Sequence, residues 1–449
     1  MSKAVLRASS VYSILKSGLF LCLATLLISC GGGNESSPTA TWTGIKQMGV
    51  AGKNTYGYSV ASDASGNVYV AGTTDGGLGG NTLTGTYDFY VTKYNSSGVL
   101  QYTKQMGVAG ADTTGLSVAT DASGNVYVAG YTTGGLDGNT LTGLYDFFVT
   151  KYNSSGVLQY TKQMGVAGAA TTGLSVATDA SGNVYVAGST NGGLGGNTLT
   201  GLYDFFVTKY NSSGVLQYTK QMGVAGADTI GLSVATDASG NVYVAGSTNG
   251  GLGGNTLTGT SDFYVTKYNS SGVLQYTKQM GVAGADTIGL SVATDASGNV
   301  YVAGYTDGGL GGNTLTGTYD FYVTKYNSSG VLQYTKQMGV AGADTIGFSV
   351  ATDASGNVYV AGDTTGGLGG NTLTGTYDFY VTKYNSSGDL QYTKQMGVAG
   401  AVTSANSVAT DASGNVYVAG STNGGLGGNT LTGLYDFFVT KYNSSGVLQ

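Results

Sequence analysis

Ten residues, Asp63 to Gly72, read DASGNVYVAG, and the same ten letters return at Asp121, Asp179, Asp237, Asp295, Asp353 and Asp411 with a constant spacing of 58 residues. A period of that length and regularity means one supersecondary unit copied seven times. A single copy cannot bury its apolar faces alone, so the copies must stack into a continuous core. The repeats run from Trp42 to Gln449 and are expected to form one domain.

Glycine accounts for 80 of 449 residues and charged residues for only 9%. Such a composition signals disorder when apolar residues are scattered. Here Val, Tyr and Phe fall in short alternating runs, which instead predicts strands joined by glycine-rich turns. There is no histidine, and of two cysteines Cys22 lies in the leader. Imidazole chemistry and zinc sites built on histidine or paired cysteine are therefore excluded, and no cofactor is expected. The formal net charge of -6 offers no basic patch for phosphates, so nucleic acid is not an expected partner.

Residues 1–29 carry Lys3, Arg7 and Lys16 ahead of an apolar run, Gly18 to Ile28, too short to span a bilayer as a helix. This is the pattern of a secretory leader. Its end, Leu27-Ile28-Ser29-Cys30, resembles the lipobox of bacterial lipoproteins. The resemblance implies cleavage before Cys30, lipid on its sulfur and attachment to a membrane. Because Gly31 rather than Asp follows Cys30, it also implies the outer membrane or cell surface. Residues 30–41 then form the lipidated cysteine and a flexible linker, holding the ring about 15 to 20 Å from the lipid.

In the second copy, Ser117 to Asp121 reads as a first strand and Asn125 to Ala129 as a second. A long glycine-rich loop, Gly134 to Leu144, precedes a third strand, Asp146 to Asn153, and a fourth, Val157 to Met164. The expected fold is all-β: a seven-bladed β-propeller of four-stranded antiparallel blades. In the third strand Phe147 and Val149 share one face while Phe148 and Tyr152 share the other, so it must be covered on both sides by neighbouring blades. The repeats begin with a fourth strand, Trp42 to Met48, and stop just after a third, Asp436 to Asn443. The N-terminal strand is thus expected to complete the last blade and close the ring. The units typified by GNVYVAG, YDFFVTKYNSSG and YTKQMGVAG resemble the seven-bladed beta-propeller repeat (SBBP) family of bacterial exported proteins. That resemblance implies the propeller fold and export, and brings no catalytic set.

Asp63, Ser65 and Asn67 have the spacing that opens a calcium loop, but Val68 and Thr74 stand where glycine and glutamate are required, so the stretch reads as a hairpin turn and not a metal site. Asn95-Ser96-Ser97, a glycosylation sequon by letter, likewise reads as a turn. Differences between copies collect on one face of the ring, in the connection into each first strand and after each second strand. There Asp112, Asp228, Asp286 and Asp344 form an expected acidic arc, and Thr133 varies to Asp75, Asn191, Asn249, Asp307, Thr365 and Asn423. The first and last copies differ most, and ring closure is expected to join Lys53, Tyr56 and Tyr58 to Ser404 and Asn406 in one patch. The functional expectation is a monomeric, lipid-anchored envelope scaffold that binds a protein or glycan through that face. A carboxylate-based hydrolase or lyase, and a structural envelope protein with no discrete ligand, are the alternatives.

Overall fold

The computed structural model describes residues 42–449. They form seven four-stranded antiparallel sheets and no α-helix, the seven-bladed propeller read from the repeat. The second blade is typical, with strands Thr113–Thr120, Val126–Thr132, Asp146–Tyr152 and Leu158–Met164 running from the axis outward. Between the second and third strands a short 3-10 turn, Leu136–Gly138, buries Leu136. The turn after each first strand is set by glycine, as at Gly124, where φ is 73°. It lies on what we call the lower face, together with the Asn-Ser-Ser-Gly turn; the long loops and the connections between blades form the upper face.

The core lies between blades. Phe147 and Val149 pack with Val176, Val184 and Phe206 of the third blade, while Phe148 and Tyr152 pack with Phe89 and Val91 of the first. Each third strand thus gives one aromatic ring to each neighbour. The contacts Phe89–Phe148, Phe147–Phe206 and Phe205–Tyr264 continue blade by blade to Phe379–Phe438, and Tyr90–Phe437 closes the circle at 5.4 Å between ring centres.

Lys46–Met48 pairs with the third strand of the last blade, Lys46 opposite Val439, Gln47 opposite Phe438 and Met48 opposite Phe437. Gln47 also does what Gln105 does in the first blade. Its amide donates to the buried carboxylate Asp436 at 3.0 Å and its oxygen accepts the Leu426 N–H at 2.9 Å, as Gln105 serves Asp88 and Leu78. The closing strand is shorter than the expected Trp42 to Met48, because Gly44 has φ 65° and leaves the ladder. The other end of the chain fills the gap: Leu448 bridges Tyr442, and the Gln449 N–H donates to the Lys441 carbonyl. Lys46–Met48 and Leu448–Gln449 therefore both lie along the third strand of the last blade. Trp42 sits where other blades carry a tyrosine, with Lys46 and Lys441 over its ring at 5.5 and 5.9 Å. All seven sheets lie within one compact unit, Thr41–Gln449, so residues 42–449 carry every strand pairing and core contact described.

The first strand begins four residues before the expected Ser117. Gly115 looks like a break in sequence, yet a side chain there would meet Phe89 of the preceding blade, so glycine is what lets the strand continue past it. The second strand extends to Thr132, the third ends at Tyr152 and the fourth begins at Leu158, shifts of one to three residues.

Candidate functional site

The seven innermost strands wall a central channel and are tied to one another by two closed rings of hydrogen bonds. In the first ring the Val118 N–H donates to Ser59 Oγ of the preceding blade at 3.1 Å, and the series closes where the Val60 N–H donates to Ser407 Oγ. In the second, Thr120 Oγ1 donates to the Ser62 carbonyl at 2.9 Å, and Ser62 Oγ closes the circle on the Thr410 carbonyl. The lower end of the channel is a cavity of about 340 Å3 lined by Val60, Ala61, Ser62 and their counterparts in all seven blades. Nothing in that wall departs from the repeat except Ser62, which takes over the hydroxyl bond that threonine makes elsewhere.

The upper part is different. Every first strand carries a β-bulge, between Gly57 and Ser59 in the first blade, and the extra residue is half-buried at the channel wall. In blades two to five that residue is Leu116, Leu174, Leu232 and Leu290; then come Phe348, Asn406 and Tyr58. One contiguous sector therefore breaks an otherwise aliphatic layer. Asn406 Nδ2 donates to the Gly57 carbonyl across the seam at 2.8 Å. Tyr56 stacks on Tyr58 with ring centres 6.0 Å apart and lies 5.4 Å from the ring of Tyr435 in the last blade. The result is a run of three tyrosines at the upper mouth where the ring closes. The Tyr56 hydroxyl is buried without a hydrogen-bond partner among the described residues. Burial, and then the neighbouring Tyr435, Tyr87 and Asp75, push its ionisation far above the usual tyrosine range.

On the other side of Asn406 lies a second irregularity. Ser404 Oγ donates to Asp363 Oδ2 of the sixth blade at 2.6 Å. Asp363 is 8% exposed, and its carboxyl is pushed up to about 7: burial raises it most, the Ser404 hydroxyl pulls it back, and the charge of Asp344 raises it further. Its counterparts are Thr73, Tyr131, Ser189, Ser247, Tyr305 and Ser421, so the carboxyl occurs once in seven copies.

The structure thus brings together Tyr56, Tyr58 and Asn406 and places Ser404 beside them. They lie on strands at the channel wall and not in exposed loops, which corrects the expected loop patch. Lys53 does sit in an exposed connection, where its carbonyl accepts the Leu434 N–H at 2.7 Å. Asp112, Asp228, Asp286 and Asp344 are half-buried in the connections of blades two, four, five and six, bridged to Tyr87, Tyr203, Ser261 and Tyr319. The varying position after each second strand has one structural task. Thr133 Oγ1 accepts the Asp112 N–H at 2.9 Å, Asn249 Oδ1 accepts that of Asp228 at 2.7 Å, and Asp75 and Asp307 serve Asn54 and Asp286 in the same way. Any short side chain with an oxygen will do, which accounts for the drift there. On the lower face the Asp121 carboxylate is committed to its own turn. It accepts the N–H groups of Ser123 and Asn125, the Asn125 amide and the Tyr127 hydroxyl. Burial opposes its ionisation, and these bonds outweigh burial and hold it below the usual carboxylate range. Cys30 lies outside the described residues.

A model of the SBBP beta-propeller repeat matches the chain seven times, at residues 44–79, 101–137, 159–195, 217–253, 275–311, 333–369 and 391–427. The regulatory protein FlaEY of Caulobacter vibrioides is 27% identical over 238 residues, covering 45% of this chain and 24% of that protein, so the likeness spans about a quarter of the relative. Among solved structures, a chain of the mitotic checkpoint complex gives a TM-score of 0.48 at 13% identity, covering 89% of this chain and 96% of its own. The WD40 beta propeller domain of Doa1 gives 0.47 at 11%, covering 89% and 97%.

Proposed function

Because this chain belongs to the SBBP beta-propeller repeat family, we propose that it is a binding scaffold whose ligand, a glycan or a protein segment, is received at the upper mouth of the channel between blades seven and one. The observation that carries the reading is the broken layer: four leucines around most of the wall, and Phe348, Asn406 and Tyr58 side by side. The Tyr435–Tyr56–Tyr58 run offers ring faces to a sugar or an aromatic side chain, and Asn406 and Ser404 supply polar groups beside it. A regulatory protein among the relatives is in keeping with work done by contact. The same proposal takes Cys30 as a lipid anchor and the outer membrane or cell surface as the location, with the ring a monomer. It rests there on the leader and on Cys30 alone.

The test is a glycan and protein binding screen on residues 42–449, run beside a variant carrying Tyr58→Leu and Asn406→Leu. Leucine already occupies this position in four blades, so the variant keeps its fold. It should lose the ligand, whereas Ser123→Ala and Ser155→Ala in the lower turns should not. Retention of binding by the leucine variant refutes the assignment. A carboxylate-based hydrolase or lyase is the second reading, and the observation on its side is Asp363, buried next to Ser404 with a carboxyl near neutrality.

A further inference from the structure

The ring is electrically lopsided along its axis. Each blade sends two lysines to the lower face. Lys93 Nζ donates to the Ser154 carbonyl in the next blade's turn at 2.9 Å, and Lys151, Lys209, Lys267, Lys325 and Lys383 repeat the contact. Lys104 lies along Gly156 of the next blade's turn with its ammonium 5.6 Å from the Tyr102 ring. With Lys46 and Lys441 at the seam, fourteen of the fifteen lysines in residues 42–449 belong to this face, against eight of the twenty-three aspartates. The upper face has Lys53 alone and the other fifteen aspartates. By formal count the lower end has six positive charges in excess and the upper end fourteen negative ones, of which Asp88 and its six counterparts are fully buried.

Two further features share the lysine face. Directly after six of the seven Asn-Ser-Ser-Gly turns stands an apolar Val-Leu pair at the rim, Asp389-Leu390 being the exception, with Val157, Val273 and Val331 each 57% exposed and Leu216 and Leu274 each 43% exposed. Trp42 is there too, packed on Tyr94 at 6.1 Å and against the Gly98 turn.

We propose that the lower face docks on an anionic lipid bilayer. The lysines meet the headgroups, the Val-Leu tips enter the interface, and the mouth between blades seven and one faces away from the membrane. Clustered lysines attract anionic leaflets over about a Debye length, and exposed aliphatic tips add contact that salt does not screen. The test uses residues 42–449, which lack Cys30, so failure of the anchoring reading and failure of this one are separable.

Flotation with vesicles of phosphatidylglycerol and phosphatidylcholine should recover the ring, and vesicles of phosphatidylcholine alone should not. Binding should fall at least about tenfold between roughly 0.05 M and 0.5 M salt. Lys162→Gln, Lys220→Gln and Lys278→Gln together should weaken binding about tenfold or more, since each lysine near an anionic surface contributes on the order of 1 kcal/mol. Val157→Asp and Val273→Asp, which copy Asp389 of the sixth blade, should weaken it as well, and Lys53→Gln should not. Equal recovery on neutral vesicles, no recovery on anionic ones, or lysine variants that bind like the parent would overturn the proposal. So would a ring dimer that the lysine variants dissolve, since a second copy would then be the occupant.

Discussion

Changing Asp363 to asparagine should stabilise the ring above neutral pH and leave it nearly unaltered near pH 4. The carboxyl is pushed up to about 7 in the folded ring, by burial first, whereas an unfolded chain holds it near 3.9. Between those values the folded state keeps a proton that the unfolded state has released. The unfolded state therefore binds fewer protons, and stability falls as pH rises from about 4 to about 7, then levels off. A gap of about three units at 1.36 kcal/mol each makes the loss about 4 kcal/mol. Asparagine keeps an oxygen for the Ser404 hydroxyl and carries no charge, so it removes that cost. For a ring of roughly 400 residues unfolding as one unit, the gain corresponds to on the order of 5 °C in melting temperature. Thermal and urea unfolding of parent and variant at pH 4, 6 and 8 would show a difference growing across that range. Asp363→Ser, which installs the residue found at Ser189, Ser247 and Ser421, should follow the same course. A pH-independent difference, or a variant less stable than the parent at pH 8, would refute a carboxyl that is costly to ionise.

Three other perturbations bear on separate parts of the account. Asp137 is the one non-glycine residue with positive φ among the described residues, at 53°, where the other copies carry glycine. Asp137→Gly should gain about 0.5 kcal/mol, relief of about 1 kcal/mol of backbone strain offset by the freer unfolded chain, read from urea unfolding. Phe205→Ala removes a buried ring 5.3 Å from Tyr264 and should cost about 3 to 5 kcal/mol in the same assay. Cys30→Ser should leave an unprocessed precursor, and mass spectrometry of the mature protein should find lipid on Cys30 only in the parent; an unmodified N-terminus at another residue sinks the anchoring proposal.

The architecture is legible because every level of the sequence repeats it: turn residues, alternating apolar positions and the offset that leaves a fourth strand at one end and a third at the other. The bounds of the first strand are not, because Gly115 looks like a break until the preceding blade's Phe89 is seen beside it. The site is legible in part. Tyr56, Tyr58, Ser404 and Asn406 stand out as departures between copies, but their place on the channel wall depends on a bulge that no single strand announces. Asp363 is open to the same comparison of copies, though it falls near a strand end, away from the visibly variable loops; Tyr435 is not, because tyrosine stands there in five other copies and only ring closure sets it beside Tyr56. At Thr133 and its counterparts the changing letters preserve one acceptor oxygen and one task, a constraint that the letters alone do not display.

The central claim is that three residues, Lys46–Met48, close the circle on the last blade. Deleting residues 42–49 strips Phe437, Phe438 and Val439 of their partners, removes the Gln47 amide from buried Asp436, and bares a strand edge able to recruit another chain. Light scattering with a thermal melt on the deleted ring is the direct measurement. Closure by Lys46–Met48 predicts association or a large drop in melting temperature; a monomer that melts like the parent would contradict it.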